Sequence, residues 1–503
     1  MTWRRRIRAR SLHIWTLLVL AALARLYRIG SPLIGVHSWR QADTAAMARN
    51  YFESGYHLFF PQVDWGGAGP GFVESEFPIV PFLVALLYRI LGMHEWIGRA
   101  VAALCSLIAG YALFHLVRKT SGERIALWTA AFYLFLPLSL FYSRAFMPDS
   151  AMMAASILAV VWFFEWTQTG KPGYWVGSAI AFALACLLKL PCLYLGLPIL
   201  YMAWNRFGPA FWRLGALWAY ALVVIAPVGA WYLHAHQILL HGGLTFGIWE
   251  YGSDKWGNWD LVASGRFWNA VLLRSVAERW LTWPGFAVAL VGILAVPRTA
   301  AERIFDFWLV AILVFFIVVA KGNYVHEYYQ WALLPVASFY LAKAFVYGFR
   351  SGPNVRAMSF AGILLAMLGL SIWRYSSYIA KENPSSSSQC ALATKVRELT
   401  ERGARVVVVD RGDPTMMYLC DRKGWHASPQ EVDERFLSSR AREGAKYVIG
   451  VVDRTDDASV AMAHMLADRY RGVLNQEGLI IYALVEPPRG LTRSTLRRDG
   501  ARE

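Results

Sequence analysis

Ile79-Val80-Pro81-Phe82-Leu83-Val84-Ala85-Leu86-Leu87-Tyr88-Arg89-Ile90-Leu91 is an apolar run of about 13 residues, and its reading decides the fold. A helix needs roughly 20 apolar residues to cross a bilayer core. This run is too short, so it is assigned to a helix lying at the outer interface. Eleven other runs are taken as spans: 12–29, 96–117, 125–141, 150–166, 174–188, 190–204, 211–233, 281–296, 304–320, 329–347 and 355–373. With Ile79–Leu91 left out, five basic turns fall inside, as the positive-inside rule requires. They carry Arg118, Lys119 and Arg124; Lys171; Arg206 and Arg213; Arg298 and Arg303; Arg350 and Arg356. Counting Ile79–Leu91 as a span would flip every later loop and break the rule throughout.

Composition supports a membrane protein. Of the 503 residues, 57% are hydrophobic and only 17% charged. A soluble chain of this length would form roughly two to four domains with a more charged surface. One apolar run alone reads equally well as a buried core helix, but about ten in one chain do not. The net charge of +16 invites nucleic acid. The cations flank apolar runs, however, so they anchor and orient helices, and no nucleic-acid partner is expected. Many of the 23 Trp and 24 Tyr sit at the ends of runs, where interfacial rings are favoured. Arg4, Arg5, Arg6, Arg8 and Arg10 precede the first run, and no small-residue cleavage site follows it. The run is read as a retained first helix with a cytoplasmic N-terminus.

Composition changes near residue 381. Asn383-Pro384-Ser385-Ser386-Ser387-Ser388 reads as a linker, 381–388, after a membrane domain of 1–380. Helical signals at 391–402, 414–422 and 458–470 alternate with strand signals at Arg405–Val409, 446–452 and 479–485. They predict a soluble α/β domain over 389–488, followed by a disordered tail at 489–503. The expected fold is therefore an α-helical polytopic membrane protein with a small C-terminal α/β domain on the periplasmic side. Cys390 and Cys420 fall in that domain, where an oxidising compartment would permit a disulfide or leave two buried thiols.

Candidate site residues gather at the expected outer face. Arg40 and Asp43 lie in the loop after the first span, Glu76 just before the short helix, and Arg144 and Asp149 between two spans. Lys189 sits in a turn, and Lys321, His326, Glu327 and Tyr328 between two later spans, within the expected outer segments that include 234–280. Ionisable groups at membrane depth are costly and tend to be paired or functional. Asp149 also reads as a helix N-cap, and Asp43 as a solvated loop acid. Arg144, Lys189 and Lys321 run against the positive-inside trend and need an anionic partner. A lipid phosphate would serve, as would Asp43, Glu76 or headgroups. The aromatic and polar 321–330 segment suits a sugar ring or an interfacial belt. His326 and Glu327 with Glu76 leave a divalent metal open, and no other cofactor is indicated.

In this order the motifs resemble the bacterial branch of the protein O-mannosyltransferase-like superfamily, in the GT-C class. That branch, glycosyltransferase family 39, includes lipid A aminoarabinose transferases and rhizobial galacturonosyltransferases. The resemblance covers roughly residues 12–373. It rests on Arg40-Gln41-Ala42-Asp43, on Glu76-Phe77-Pro78 before Leu86-Leu87-Tyr88-Arg89-Ile90-Leu91-Gly92, and on Arg144 with Asp149. Leu188-Lys189-Leu190-Pro191 and Tyr328-Tyr329-Gln330-Trp331-Ala332-Leu333-Leu334-Pro335 complete it. It implies a GT-C membrane domain and an inverting transfer from a polyprenyl-phosphate sugar to a lipid, glycan or protein acceptor, at the periplasmic face of a bacterial inner membrane. Asp43 would be the catalytic carboxylate and Asp149 a second acid. Arg144 and Lys189, with Arg40 and Lys321, would hold the donor phosphate; Glu76, His326, Glu327 and Tyr328 would meet sugar or acceptor. Relatives often carry Lys after the loop Glu, where this chain has Phe77. A flippase or a polymerase for lipid-linked saccharides is the alternative function.

Overall fold

The structure, a computed structural model, describes residues 2–247, 256–294, 296, 298–351 and 354–484. The expected tail at 489–503, and residues 248–255 of the expected outer segment 234–280, lie outside them. The chain divides into two compact units. The first comprises Met1–Val36, Met47–Pro61 and Val73–Glu382; the second joins His37–Ala46, Gln62–Phe72 and the chain from Asn383 onward. The second unit thus contains two pieces of the first loop besides the expected C-terminal domain.

The first unit is helical. Its main helices are α1 (Thr2–Leu26), α2 (Ser38–Ser54, begun in the other unit), α3 (Ile79–Leu91), α4 (Glu95–Ser121), α5 (Glu123–Phe135), α6 (Pro137–Tyr142) and α7 (Asp149–Thr169). They continue with α8 (Pro172–Leu188), α9 (Gly196–Phe207), α10 (Gly215–Gly242), α11 (Trp283–Leu294), α12 (Ile304–Val318), α13 (Leu334–Gly348) and α14 (Val355–Ala380). The 79–91 run is one separate helix with the expected bounds. Among the described residues, five helical segments are long and apolar enough to cross a membrane: α4, α7, α10, Glu327–Gly348 and α14. Helices from His13, in α3, in α8 and in α11 are apolar but shorter. Burial sorts the long ones. Most of the apolar stretch of α7 is buried, against α4 and α8, whereas little of that of α14 is, so α14 offers its apolar surface outward. Small residues allow close helix approach. At Gly110 of α4 a Cβ would lie 2.8 Å from Leu134 of α5.

Two expected spans are broken by proline. Proline lacks the N–H that would bond the carbonyl four residues earlier, and its ring pushes the preceding residue out of helical geometry. Leu136, before Pro137, is extended, and the 125–141 run becomes α5 and α6. The carbonyl that Pro137 leaves open, on Tyr133, accepts from Ser139 Oγ at 2.5 Å. The next, on Leu134, accepts from Arg25 Nη2 at 3.0 Å. Pro191 likewise opens the Leu187 carbonyl, which accepts from Phe77 N at 2.9 Å and Tyr232 Oη at 3.3 Å. The 190–204 run becomes a 3-10 turn, Leu190–Leu195, followed by α9.

The second unit carries a five-stranded sheet. α15 (Ser388–Leu399), β1 (Arg405–Val409), α16 (Thr415–Cys420), β2 (Lys423–Ala427), α17 (Glu434–Arg442), β3 (Ala445–Val451), α18 (Asp457–Arg469), β4 (Arg471–Gln476) and β5 (Leu479–Ala483) follow in order. The strand order is β2-β1-β3-β5-β4; β1 is parallel to β2 and β3, and β5 antiparallel to β3 and β4. The 381–388 stretch read as a linker is ordered: Pro384–Ser386 forms a 3-10 turn and Ser387 caps α15. Cys390 and Cys420 are both thiols, the latter buried against Met416 Sδ.

Glu382 closes the first unit. It is buried, with Arg144 Nη1 at 3.0 Å and Arg99 Nη2 at 3.5 Å. Arg144 also bonds the Arg28 carbonyl at 2.8 Å, and Arg99 the Ile29 carbonyl at 3.1 Å. Removing one member of a buried ion pair costs ~3–5 kcal/mol, because the other charge stays buried. Glu382→Gln is therefore expected to lower thermal stability in detergent by about 3 kcal/mol. A melting temperature equal to wild type would show that this carboxylate does not hold the bundle.

Candidate active site

Lys189 is set in the break that Pro191 makes. It is extended (φ −161°, ψ 105°), between the end of α8 and the 3-10 turn. Its ammonium pairs with Asp149 Oδ1, and its side chain is 11% exposed. The Tyr328 and Tyr329 rings lie 4.6 and 4.5 Å from Nζ, within cation–π range. Glu76 adds a second negative charge to the field at Lys189. The Glu76 loop is positioned by the Phe77 bond to Leu187 and by Trp231 Nε1 on the Ser75 carbonyl at 3.1 Å. Asp149 is the first residue of α7 and makes no N-cap bond; its carboxylate turns to Lys189 instead. Asp149 Oδ2 is buried without a hydrogen-bond partner. His326 stacks on Tyr328 and Tyr329 at 5.3 and 5.8 Å.

Other expected site residues are engaged elsewhere. Glu327 accepts from Tyr142 at 2.7 Å, Tyr378 at 2.8 Å and Arg279 at 2.5 Å. Its backbone carbonyl accepts from Trp280 Nε1 at 2.9 Å, so this residue ties α6, the π-helical stretch Asn269–Trp280 and α14 together. Arg144, expected at the donor phosphate, is buried in the Glu382 cluster, with two of its nitrogens bonded inside the protein. Lys321 is half-buried in the short helix Ala320–Val325. Among the described residues no three His, Cys, Asp or Glu side chains gather as a metal site.

In the second unit Asp43 is the centre of a separate cluster. It lies in the first turns of α2 and is 3% exposed. Trp65 Nε1 donates to Asp43 Oδ1 at 2.9 Å. Burial pushes the Asp43 carboxyl up to about 7. The Trp65 bond and the charges of Arg40 and His426 oppose that rise, and Asp64 adds to it. Trp65 is carried by a small hairpin, with Gln62 bridged to Phe72 and Val63 N on the Gly71 carbonyl. The hairpin docks on edge strand β2 through Gly67 N to the Gly424 carbonyl at 2.8 Å and Gly424 N to the Asp64 carbonyl at 3.0 Å. Gly424 must be glycine, since a Cβ there would collide with the Val406 carbonyl oxygen. The structure thus brings Asp149, Lys189 and Tyr328 together in one unit, and Arg40 and Asp43 together in the other. Tyr329, Trp65 and His426 were not expected. The run Trp65-Gly66-Gly67-Ala68-Gly69-Pro70-Gly71 held the signal for a close docking of backbone.

A family model described as dolichyl-phosphate-mannose-protein mannosyltransferase matches residues 75–231. ArnT from Cupriavidus metallidurans in the apo state aligns with a TM-score of 0.67 at 16% identity, over 95% of this chain and 98% of that one. The chain has the GT-C glycosyltransferase fold. ArnT bound to undecaprenyl phosphate gives 0.66 at 15% identity, over 94% and 98%. The archaeal oligosaccharyltransferase AglB from Archaeoglobus fulgidus, with an inhibitory peptide and a dolichol-phosphate, gives 0.59 at 13% identity, over 91% and 72%. No curated protein matches in sequence. With its apolar helices, this GT-C chain is a multi-pass membrane protein. The family match takes in Glu76, Arg144, Asp149 and Lys189, but not Asp43.

Because the Trp65 bond favours the ionised form of Asp43, Trp65→Phe is expected to keep this carboxyl protonated to higher pH. Carbodiimide labelling of Asp43 across pH 5–9, read by peptide mass spectrometry, would show it. A midpoint at or below the wild-type value would remove Trp65 as the group that opposes burial.

Proposed function

We propose that this chain is an inverting glycosyltransferase that draws its sugar from a polyprenyl-phosphate carrier at the periplasmic face of the inner membrane. The observation that carries the reading is Lys189, in a proline-made break, neutralised by Asp149 and walled by Tyr328 and Tyr329. A lysine so placed suits an anionic headgroup, and aromatic faces suit the sugar next to it. The fold is shared with a protein solved with undecaprenyl phosphate and with one solved with dolichol-phosphate, which supports this donor class.

In the proposed step an acceptor hydroxyl attacks the anomeric carbon opposite the phosphate. The new C–O bond forms as the bond to the phosphate oxygen breaks, and configuration inverts. The phosphate leaves with the electron pair, its charge met by Lys189. Asp43 takes the hydroxyl proton, and a base with a pKa near the working pH is well matched to that task. Asp149 keeps Lys189 in place and offers Oδ2 to a substrate hydroxyl. Arg144 is assigned to the fold and not to the donor, since its guanidinium is occupied by Glu382 and Arg28. The acceptor is a lipid, a glycan or a protein. A flippase for the same lipid-linked sugar is the second reading, favoured by the proline-broken helices, which transporters also use.

Purified protein in nanodiscs, given polyprenyl-phosphate sugars and envelope extracts, separates the two. Glycosylated product is expected, with transfer rising through about pH 7 as Asp43 ionises. Asp43→Asn should lower the rate ~10²–10⁴-fold. Lys189→Met should raise the donor KM roughly 10- to 100-fold, the worth of one charge-assisted bond. Sugar movement between leaflets without product would favour the flippase, and near-normal transfer by Asp43→Asn would remove it as base.

A further inference from the structure

Asp410 and His426 belong to the C-terminal α/β fold, and the transfer chemistry above does not call on them. Asp410 follows β1, and His426 lies in the neighbouring strand β2. His426 Nδ1 is 2.8 and 3.0 Å from the two Asp410 oxygens. A carboxylate in that position holds the proton on Nδ1 and leaves Nε2 to act on something else. Nε2 is buried without a hydrogen-bond partner. The ring is 6.2 Å from that of Trp65, the residue bonded to Asp43, and the charge of His426 acts on Asp43. Holding β2 to β1 does not require this pair, because the strands are already paired in parallel from Arg405 to Val409.

We propose that His426, oriented by Asp410, is a positioning residue that relays the proton Asp43 takes from the acceptor. The proposal rests on Asp43 being the base of the transfer. The acceptor O–H bond breaks and its proton goes to the Asp43 carboxylate. That proton then passes to Nε2, giving an imidazolium whose charge Asp410 offsets, and from there to water. Nothing is oxidised or reduced. The charged groups acting on Asp43 are Arg40, His426 and Asp64, and those acting on Asp410 are His426 and Asp413. Burial pushes the Asp43 carboxyl up to about 7, in the range where an imidazole exchanges protons readily. Burial raises the Asp410 carboxyl above its usual range, with the His426 contact opposing.

The test uses full-length protein in nanodiscs with two readouts. In the first, the pH profile of transfer is measured for wild type and His426→Gln. His426 acts to favour the ionised form of Asp43, so removing the imidazole should move the acid limb up by about one unit. Transfer should fall about tenfold below pH 7, recover at high pH and leave the donor KM unchanged. Asp410→Asn should move the limb the same way. In the second, histidine-labelled protein is titrated by NMR, with His426 assigned from His426→Gln. Its midpoint should shift upon Asp43→Asn, because the two groups share a proton. An identical His426 titration in wild type and Asp43→Asn overturns the relay, whatever the transfer assay gives. A uniform loss of activity in His426→Gln with an unmoved limb also overturns it. Retained transfer by Asp43→Asn counts instead against the base assignment, so the two failures are distinct.

Discussion

Inside a bilayer a backbone carbonyl has no water to turn to, so each one that loses its helical donor must find another within the protein. That constraint organises the first unit. Pro137 and Pro191 each interrupt an apolar run, and the carbonyls they open are met by Ser139, Phe77 and Tyr232. Arg25 meets the neighbouring Leu134 carbonyl. These bonds bind α5 and α8, the helices that end before the prolines, to α1, to α10 and to the Glu76 loop. The break after α8 is also what leaves Lys189 outside regular helix. The device that satisfies the backbone and the device that presents the cation are the same.

The cations of this unit fall into two kinds, and burial with partner chemistry separates them. Arg144 and Arg99 are wholly enclosed, with a carboxylate and several carbonyls arranged around them. Such a guanidinium is a strut, because both of its Nη atoms are held by fixed acceptors. Lys189 has one fixed carboxylate and two aromatic faces. An ammonium is a compact charge with three donors, so it can take a further anion without rebuilding its surroundings. Glu327 shows the same contrast among the acids: three donors fill it and fix it in place. Asp149, with one oxygen unmet, is the more available of the two.

Much of the architecture could be read from residue order. Apolar run length found α4, α7, α10 and α14, and the 13-residue limit placed α3 as a separate short helix. What run length did not reveal was the break at Pro137, because the flanking residues remain apolar on both sides; the break before Pro191 was marked by Lys189. In the sheet, the buried strands β1, β3 and β5 were legible from their Val and Ile content. The edge strands β2 and β4 were not, since Lys-Gly-Trp-His-Ala and Arg-Gly-Val-Leu-Asn-Gln bury little and show no alternation. Missing β2 meant missing His426. Among site residues, Asp149 and Lys189 were recognisable from motif order and are in contact. The enclosure of Arg144 was not legible, because its partner Glu382 lies 238 positions away.

That separation bears on how the protein is made. Glu382 is the last residue of the first unit and follows the last long helix. While the ribosome is still producing the earlier helices, the Glu382 carboxylate that Arg99 and Arg144 both contact has not yet been made. A half-made bundle would bury two guanidiniums without the carboxylate they share, and burying a charge short of its partner is costly. Arrival of residue 382 places one carboxylate between the two cations, so their full set of partners exists only once the helical unit is complete.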